Sequence, residues 1–178
     1  QPRHPESRLD AMTSPAFPML FSPIDIGAVP IANRIVFAGH GSRFVDWHRH
    51  HLAPRQAEYL ADRAKGGVGL IIQGSSMVHP TGMTAAGVNE VWTDDSIPSY
   101  QMVADAVHAE GSKIFGQLSH LGRQGNSFAS HREMWAPSPI PDPASRSVPH
   151  AMDRRDIAEI IEAYRSGARR LAAAGFDG

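Results

Sequence analysis

The sequence predicts an α/β fold with a parallel sheet, the N-terminal portion of a (β/α)8 TIM barrel preceded by a β-hairpin cap. Two observations favour this fold. Short apolar runs alternate three times with segments of helical periodicity, and repeated strand–helix units of this kind build parallel sheets. A glycine also follows each helical segment, at Gly66, Gly111 and Gly175, which is a typical end for a helix. A complete barrel needs about 250 residues, so these 178 residues would supply roughly half of one.

The N-terminal part is predicted to contain a tail, a hairpin and the first strand. Residues 1–16 are polar and proline-rich without periodicity, so we expect a disordered tail, with the barrel portion covering residues 17–178. Two short apolar pieces around a glycine, Ile24–Ile26 and Val29–Ile31, predict the hairpin. The apolar run Arg34–Ala38 then predicts the first buried strand.

Three helices are predicted from apolar residues that recur at intervals of three and four. The first covers Pro54–Lys65, the second is capped by Asp95 or Ser96, and Asp153 opens the third. Their apolar faces comprise Ala57, Leu60, Ala61 and Ala64; Tyr100, Val103 and Val107; and Ile157, Ile160, Ile161, Tyr164, Ala168 and Leu171.

Two further strands are predicted between the helices. Val68–Ile72 is continuously apolar, as expected for a strand covered on both faces, and residues 113–118 form the third strand. The proline-rich segment 124–152 follows as a long loop, of a length that is uncommon unless it is functional. A fourth strand is expected to begin at residues 176–178, so we expect the sequence to be a fragment cut at that strand.

Small and polar residues stand at the end of each predicted strand. They are Ala38-Gly39-His40-Gly41 after the first, Gln73-Gly74-Ser75 after the second, and Gln117, Ser119 and His120 in the third. In a parallel barrel these ends meet on one face, where glycines would let a flat ring approach the backbone. Gln117 could both donate to and accept from the polar edge of such a ring. The alternative is that the glycines only permit tight turns and Gln117 only caps a loop, and the residues alone leave both open.

Composition and charge exclude several classes of function. The net charge of -1 provides no basic field for nucleic acid or a membrane surface. No apolar run approaches the ~20 residues of a membrane span and no signal peptide opens the chain, so we expect a cytoplasmic protein. Cysteine is absent, so these residues hold no disulfide and no thiolate nucleophile.

Other chemical motifs are weak. Three of the four residues His48–His51 are histidines, but no carboxylate is spaced to complete a metal shell, and we expect a solvated loop without metal. The sequence has no glycine-rich phosphate loop and no nucleophile elbow.

Five motifs in sequence order resemble the old yellow enzyme family, from about residue 17 to the last residue. They are Leu20-Phe-Ser-Pro-Ile with Asn33-Arg-Ile-Val; Arg63-Ala-Lys-Gly-Gly-Val-Gly-Leu-Ile-Ile; Gly116-Gln-Leu-Ser-His-Leu-Gly-Arg123; Ala136-Pro-Ser; and Ala174-Gly-Phe-Asp-Gly178. More narrowly, the chain is similar to the branch that contains NADH:flavin oxidoreductases, 2,4-dienoyl-CoA reductase and trimethylamine dehydrogenase.

The resemblance implies a barrel that binds flavin mononucleotide (FMN). The implied cofactor-binding residues are Ala38, Gly39, His40 and Gly41 beside the isoalloxazine ring, Gly74 lining it, and Gln117 at its pyrimidine edge. His120 and Arg123 match the motif in a mainly structural role, and the hairpin would plug the barrel bottom. The trimethylamine dehydrogenase type carries its flavin-bonded cysteine at position 41, where this chain has glycine, so FMN is expected to be non-covalent. Gln73 stands where many relatives have glutamate.

The resemblance also implies an activity. It is hydride transfer from NAD(P)H through FMN to a small electron-poor alkene such as an α,β-unsaturated carbonyl. The alternatives are an amine dehydrogenase of the same family, or a flavin-free barrel segment that acts as a binding module. In the family, the substrate-gripping residues, the proton donor, the phosphate loops and any iron–sulfur cluster come from later residues, so no catalytic residue is assigned here. The resemblance leaves room for a homo-oligomer, and residues 1–178 alone are expected to bind FMN weakly and to associate.

Overall fold

The computed structural model describes residues 17–85 and 87–178, so the predicted tail, residues 1–16, lies outside it. In chain order the elements are β1 (Ile24–Ile26), β2 (Val29–Ile31), β3 (Val36–Phe37), β4 (Val45–Asp46), β5 (His51–Leu52), α1 (Pro54–Lys65), β6 (Leu70–Met77), β7 (Asn89–Glu90), α2 (Ile97–His108), β8 (Lys113–Ser119), α3 (Ser127–Ser130), β9 (Trp135–Ala136), β10 (His150–Ala151) and α4 (Arg154–Ala173). The predicted hairpin is confirmed, since β1 and β2 pair antiparallel around Gly27, whose φ is +60°.

A parallel sheet centred on β6 forms the middle of the fold. Strand β8 follows one edge of β6 along its length, whereas β3 pairs with the start of the other edge and β7 with its end. Helices α1, α2 and α4 cover one face of this sheet. The α/β class with a parallel sheet is therefore confirmed.

The second strand is longer than predicted. It runs over Leu70–Met77 rather than Val68–Ile72, so Gln73 and Gly74 lie inside a strand instead of after it. Its pairing with β8 shifts register between Gln73 and Ser76, an irregularity of the bulge type that lets the strand continue through polar residues. The first strand is shorter than predicted, with only Val36–Phe37 in ladder pairing, and the third extends one residue further, to Ser119.

The helix bounds agree well with the sequence. Helix α1 covers Pro54–Lys65 as predicted, with proline in its first turn. Asp153 caps α4 by accepting hydrogen bonds from the backbone amides of Arg155 and Asp156, and the carboxylate of Asp156 accepts from the backbone amide of Asp153.

The predicted apolar face of α4 is only partly correct. Ile157, Ile161 and Tyr164 are 45%, 55% and 36% exposed, whereas Gly167 and Leu171 are buried against the sheet. A methyl group on Gly167 would lie 3.2–3.3 Å from side chains of β8 and the β6–α2 connection. Because glycine allows this close approach, the buried face of α4 is centred on the small residue rather than on the isoleucines.

Two predicted loops contain further structure. Residues 45–52 form the β4–β5 hairpin, in which Val45 and Leu52 are buried, so His48–His51 lie in a hairpin turn and its second strand rather than in a free loop. The long segment 124–152 contains α3 and the parallel pair β9–β10. At the C-terminus, the amide of Asp177 donates to the carbonyl of Ile114 on the open edge of β8, where the fourth strand was expected to begin.

No helix within the described part of the chain is long and apolar enough to cross a membrane.

Candidate functional site

The strands β6 and β8 present one face to the helices and the other to an open concave side. Ile71 and Ile114 belong to the buried core beneath the helices, and a methyl group on Gly116 would lie 2.2 Å from the side chain of Leu171 on α4. Because successive side chains alternate across a strand, Gln117 must point away from the helices. Gln117 therefore lies on the concave side, where its side chain is exposed.

Gly39, Gly74 and Gln117 meet on this concave side. A methyl group on Gly39 would lie 3.2 Å from Oε1 of Gln117, 3.3 Å from the Ile72 side chain and 3.4 Å from the Cα atom of Gly74. The sequence therefore predicted residues that the fold brings together, although one follows β3, one lies inside β6 and one lies inside β8. The Gln117 side chain is exposed, and its amide forms no hydrogen bond with the described residues.

Gly74 allows the chain after β3 to pass unusually close to β6. A methyl group on Gly74 would lie 2.2 Å from the carbonyl oxygen of His40 and 3.0 Å from its backbone nitrogen. Both are backbone atoms, which cannot rotate away as a side chain can. Only glycine therefore fits this position without moving one of the two segments.

The side chain of His40 lies on the helix side of the sheet. Its Nε2 atom forms a 2.8 Å hydrogen bond with the Tyr59 hydroxyl, and its ring packs edge-on against Phe37 and Tyr59. His40 therefore contributes its backbone, rather than its imidazole, to the concave side. Ala38 is exposed, and a methyl group on Gly41 would meet no atom within 4 Å, so these two predicted residues border open space.

A chain of hydrogen-bonded side chains, here called the amide chain, connects the segment after β3 with helix α1 and strand β6. It consists of Ser42, Gln56 and Gln73. The Ser42 hydroxyl donates to Oε1 of Gln56, Nε2 of Gln56 donates to Oε1 of Gln73 at 2.9 Å, and Nε2 of Gln73 donates to the Gly74 carbonyl at 3.3 Å. Gln56 and Gln73 are only 2% and 1% exposed. This amide chain was not predicted from the sequence, because the position of Gln56 beside the apolar face of α1 indicates a buried polar group but not its partner.

His120 belongs to a second network that fixes the loop after β8. Its Nδ1 atom accepts from the amide of Gly122 at 3.2 Å, so its Nε2–H donates to the Thr81 hydroxyl at 3.0 Å. The Thr81 hydroxyl can then donate to Nδ1 of His79 at 2.8 Å, leaving the Nε2–H of His79 for Glu159 on α4, 3.1 Å away. Burial, reinforced by the neighbouring His79, lowers the pKa of His120 to about 4. This is the geometry of a neutral, structural histidine.

The histidines of the segment His48–His51 do not form a metal site with the described residues. His51 forms a 3.0 Å hydrogen bond with the buried carboxylate of Glu90, which also accepts from Thr93. Within residues 17–85 and 87–178, no group of three or more potential ligands from His, Cys, Asp and Glu is placed to hold a metal ion.

The chain matches one known protein family over almost all of its described residues. Residues 19–178 match the model of the NADH:flavin oxidoreductase / NADH oxidase family, an FMN-dependent family. The chain therefore belongs to this family of flavin oxidoreductases, as its motifs implied.

Individual relatives agree with that assignment. The chain is 36% identical to the N,N-dimethylglycine/sarcosine dehydrogenase of Chromohalobacter salexigens, covering 92% of this chain and 24% of the relative. It is 35% identical to an NADPH dehydrogenase of a Geobacillus species, covering 89% of this chain and 46% of the relative. The solved structure of an old yellow enzyme homologue from Zymomonas mobilis superposes with a TM-score of 0.81 at 30% identity, over 90% of this chain and 47% of that one. The chain thus spans less than half the length of these relatives, and its fold is part of their TIM barrel.

The chemistry of the residues on the concave side is compatible with a flavin ring. Gly39 presents backbone without a side chain beside Gln117, and a methyl group there would crowd Gln117, Ile72 and Gly74 at 3.2–3.4 Å. The amide of Gln117 at its border offers both a donor and an acceptor, which the pyrimidine edge of an isoalloxazine ring requires. Gly39, Gly74 and Gln117 carry no charge, so the phosphate of FMN would need partners elsewhere.

Proposed function

We propose that the protein to which these residues belong is an FMN-dependent oxidoreductase that passes hydride from NAD(P)H to a small electron-poor alkene, such as an α,β-unsaturated carbonyl. The observation that carries the proposal is the convergence of Gly39, Gly74 and the amide of Gln117, which has no hydrogen-bond partner among the described residues, on the concave side of the sheet. Membership of a flavin oxidoreductase family and 35% identity to an NADPH dehydrogenase support it. Bound FMN would supply the hydride chemistry.

The residues of this chain would hold the flavin ring rather than react with substrate. Gln117 would pair with the pyrimidine edge, and Gly39 would let the ring lie against backbone without a side chain between them. Gly74 would line the ring from β6 and let the segment after β3 pass close to that strand. The backbone at His40 and Gly41 would border the ring, with Ala38 preceding it. Gly41 has no side chain to form a covalent link, so the flavin would be bound non-covalently.

A second candidate is a flavin-dependent amine dehydrogenase. It is favoured by the 36% identity to an N,N-dimethylglycine/sarcosine dehydrogenase, which is as high as the identity to the NADPH dehydrogenase. In that case an amine, rather than NAD(P)H, would be the source of hydride. A flavin-free binding module is a third candidate, and membership of a flavin oxidoreductase family argues against it.

Anaerobic reduction of the purified, full-length protein separates these candidates. We expect a yellow flavin absorbance that NADPH or NADH bleaches and that 2-cyclohexenone restores. Bleaching by N,N-dimethylglycine but by neither nicotinamide would favour the amine dehydrogenase instead. A protein that is colourless and takes up no FMN would overturn both flavin proposals.

A further inference from the structure

We infer that Ser42, Gln56 and Gln73 are positioning residues, which hold the backbone at residues 39–42 in the place that FMN binding needs. This inference rests on the proposed function, since it concerns the same flavin site. None of the three side chains points to the concave side. Their role would be exerted through the backbone of Gly74 and of the segment after β3.

The hydrogen bonds of the amide chain all donate in the same direction, from the loop towards the strand. Ser42 donates to Gln56, Gln56 donates to Gln73, and Gln73 donates to the carbonyl of Gly74. Each amide therefore uses its oxygen towards the loop and its nitrogen towards the strand. Reversing either amide would bring two oxygens or two nitrogens together, so the orientation of both is fixed.

The amide chain ends at the two backbone segments that approach each other, which are the segment after β3 and strand β6. One end is Ser42, which directly follows Gly41, and the other end is Gly74, whose Cα atom faces the His40 backbone. The amide chain therefore links the two segments that touch and sets the distance between them. A change of that distance would alter the surface at Gly39, which lies against Gln117.

Because Gln56 and Gln73 are buried, the loss of either side chain should disrupt the amide chain. At 2% and 1% exposure, Gln56 and Gln73 cannot replace a lost partner with bulk water. Both glutamines are neutral, so the arrangement depends on directional hydrogen bonds and not on an ion pair. Such a structure specifies position better than apolar packing of the same volume would.

Substitution by methionine, which has a similar length but no amide, tests the inference. In the full-length protein we expect Gln56→Met and Gln73→Met each to weaken FMN binding by about tenfold, because each leaves a buried partner unpaired. The double variant should bind only slightly more weakly than either single variant, since the amide chain is already broken. Gln101→Met, at an exposed glutamine of α2, is the matched control and should change the dissociation constant for FMN by less than about twofold.

The shape of the bound-flavin spectrum separates positioning from general stability. We expect the visible absorption bands and the fluorescence quenching of bound FMN to change in the Gln56 and Gln73 variants, and more mildly in Ser42→Ala. Ser42→Ala provides the test if the buried variants do not fold. Folded variants with an unaltered FMN dissociation constant and spectrum would overturn the positioning role alone. An unmodified protein that binds no FMN would instead contradict the proposed function, and the positioning role with it.

Discussion

A methyl group at Gly74 has no room, because it would lie 2.2 Å from the carbonyl oxygen of His40, whereas ordinary contacts begin at 3.4 Å. Gly74→Ala must therefore push the segment after β3 away from β6. Overpacking of this kind destabilises by about 1–3 kcal/mol. Alanine recovers about 0.4–1 kcal/mol by restricting the unfolded chain. We expect a net loss of about 1–2 kcal/mol in the free energy of unfolding, together with weaker FMN binding.

Two other glycines provide matched controls for this substitution. A methyl group on Gly41 would meet no atom within 4 Å, so Gly41→Ala should be neutral or stabilising by up to about 1 kcal/mol. A methyl group on Gly116 would also lie 2.2 Å from another atom, but that atom is the end of the Leu171 side chain. Since Leu171 can adopt another rotamer, Gly116→Ala should destabilise less than Gly74→Ala, by about 1 kcal/mol or less.

Urea unfolding of the three variants, with an FMN titration of each, decides the question. The expected order of stability is Gly41→Ala above Gly116→Ala above Gly74→Ala. If Gly74→Ala were as stable as Gly41→Ala and bound FMN as tightly as the unmodified protein, the close approach of the two backbone segments could not be correct.

Two further predictions concern ionisable groups. His120 is neutral in the folded protein because burial lowers its pKa to about 4, whereas in the unfolded chain it is protonated below about pH 6.5, so its contribution to stability should be lost as the pH falls from 6.5 towards 4. Thermal melts across that window should show a smaller decline for His120→Gln, and an equal decline would contradict the prediction. Asp177 binds Lys113 and His108 at 2.7 Å each and accepts from the amide of Ile114 at 2.9 Å, so Asp177→Asn should lower the free energy of unfolding by about 1–2 kcal/mol. Chemical unfolding measures this loss, and Asp105→Asn, at an exposed aspartate of α2, should show almost none.

The local parts of the fold could be predicted from the sequence because their signals are local. Pro54 and Gly66 stand next to the ends of α1, and Asp153 caps α4 with residues two and three positions further on. The end of β6 could not be predicted in this way. It depends on a register shift beside Gln73 in the pairing with β8, a strand that begins 36 positions after Met77.

The same distinction applies to the buried faces and to the site. The isoleucines of α4 have the right spacing for a buried stripe, but contact with the sheet favours the smaller Gly167. At the site, strand-end glycines and Gln117 could be recognised from their motifs. The bond between Gln56 and Gln73 could not, because it joins side chains from two elements 17 positions apart.

Binding of FMN to a Gln117 variant tests the central claim most directly. The full-length protein, its Gln117→Leu variant and the control Gln124→Leu, at an exposed glutamine beyond β8, would be stripped of flavin and titrated with FMN. If Gln117 pairs with the pyrimidine edge, Gln117→Leu should weaken binding by about tenfold or more, and Gln124→Leu by less than about twofold. Equal affinity and an identical flavin spectrum in Gln117→Leu and the unmodified protein would contradict the assignment of this site.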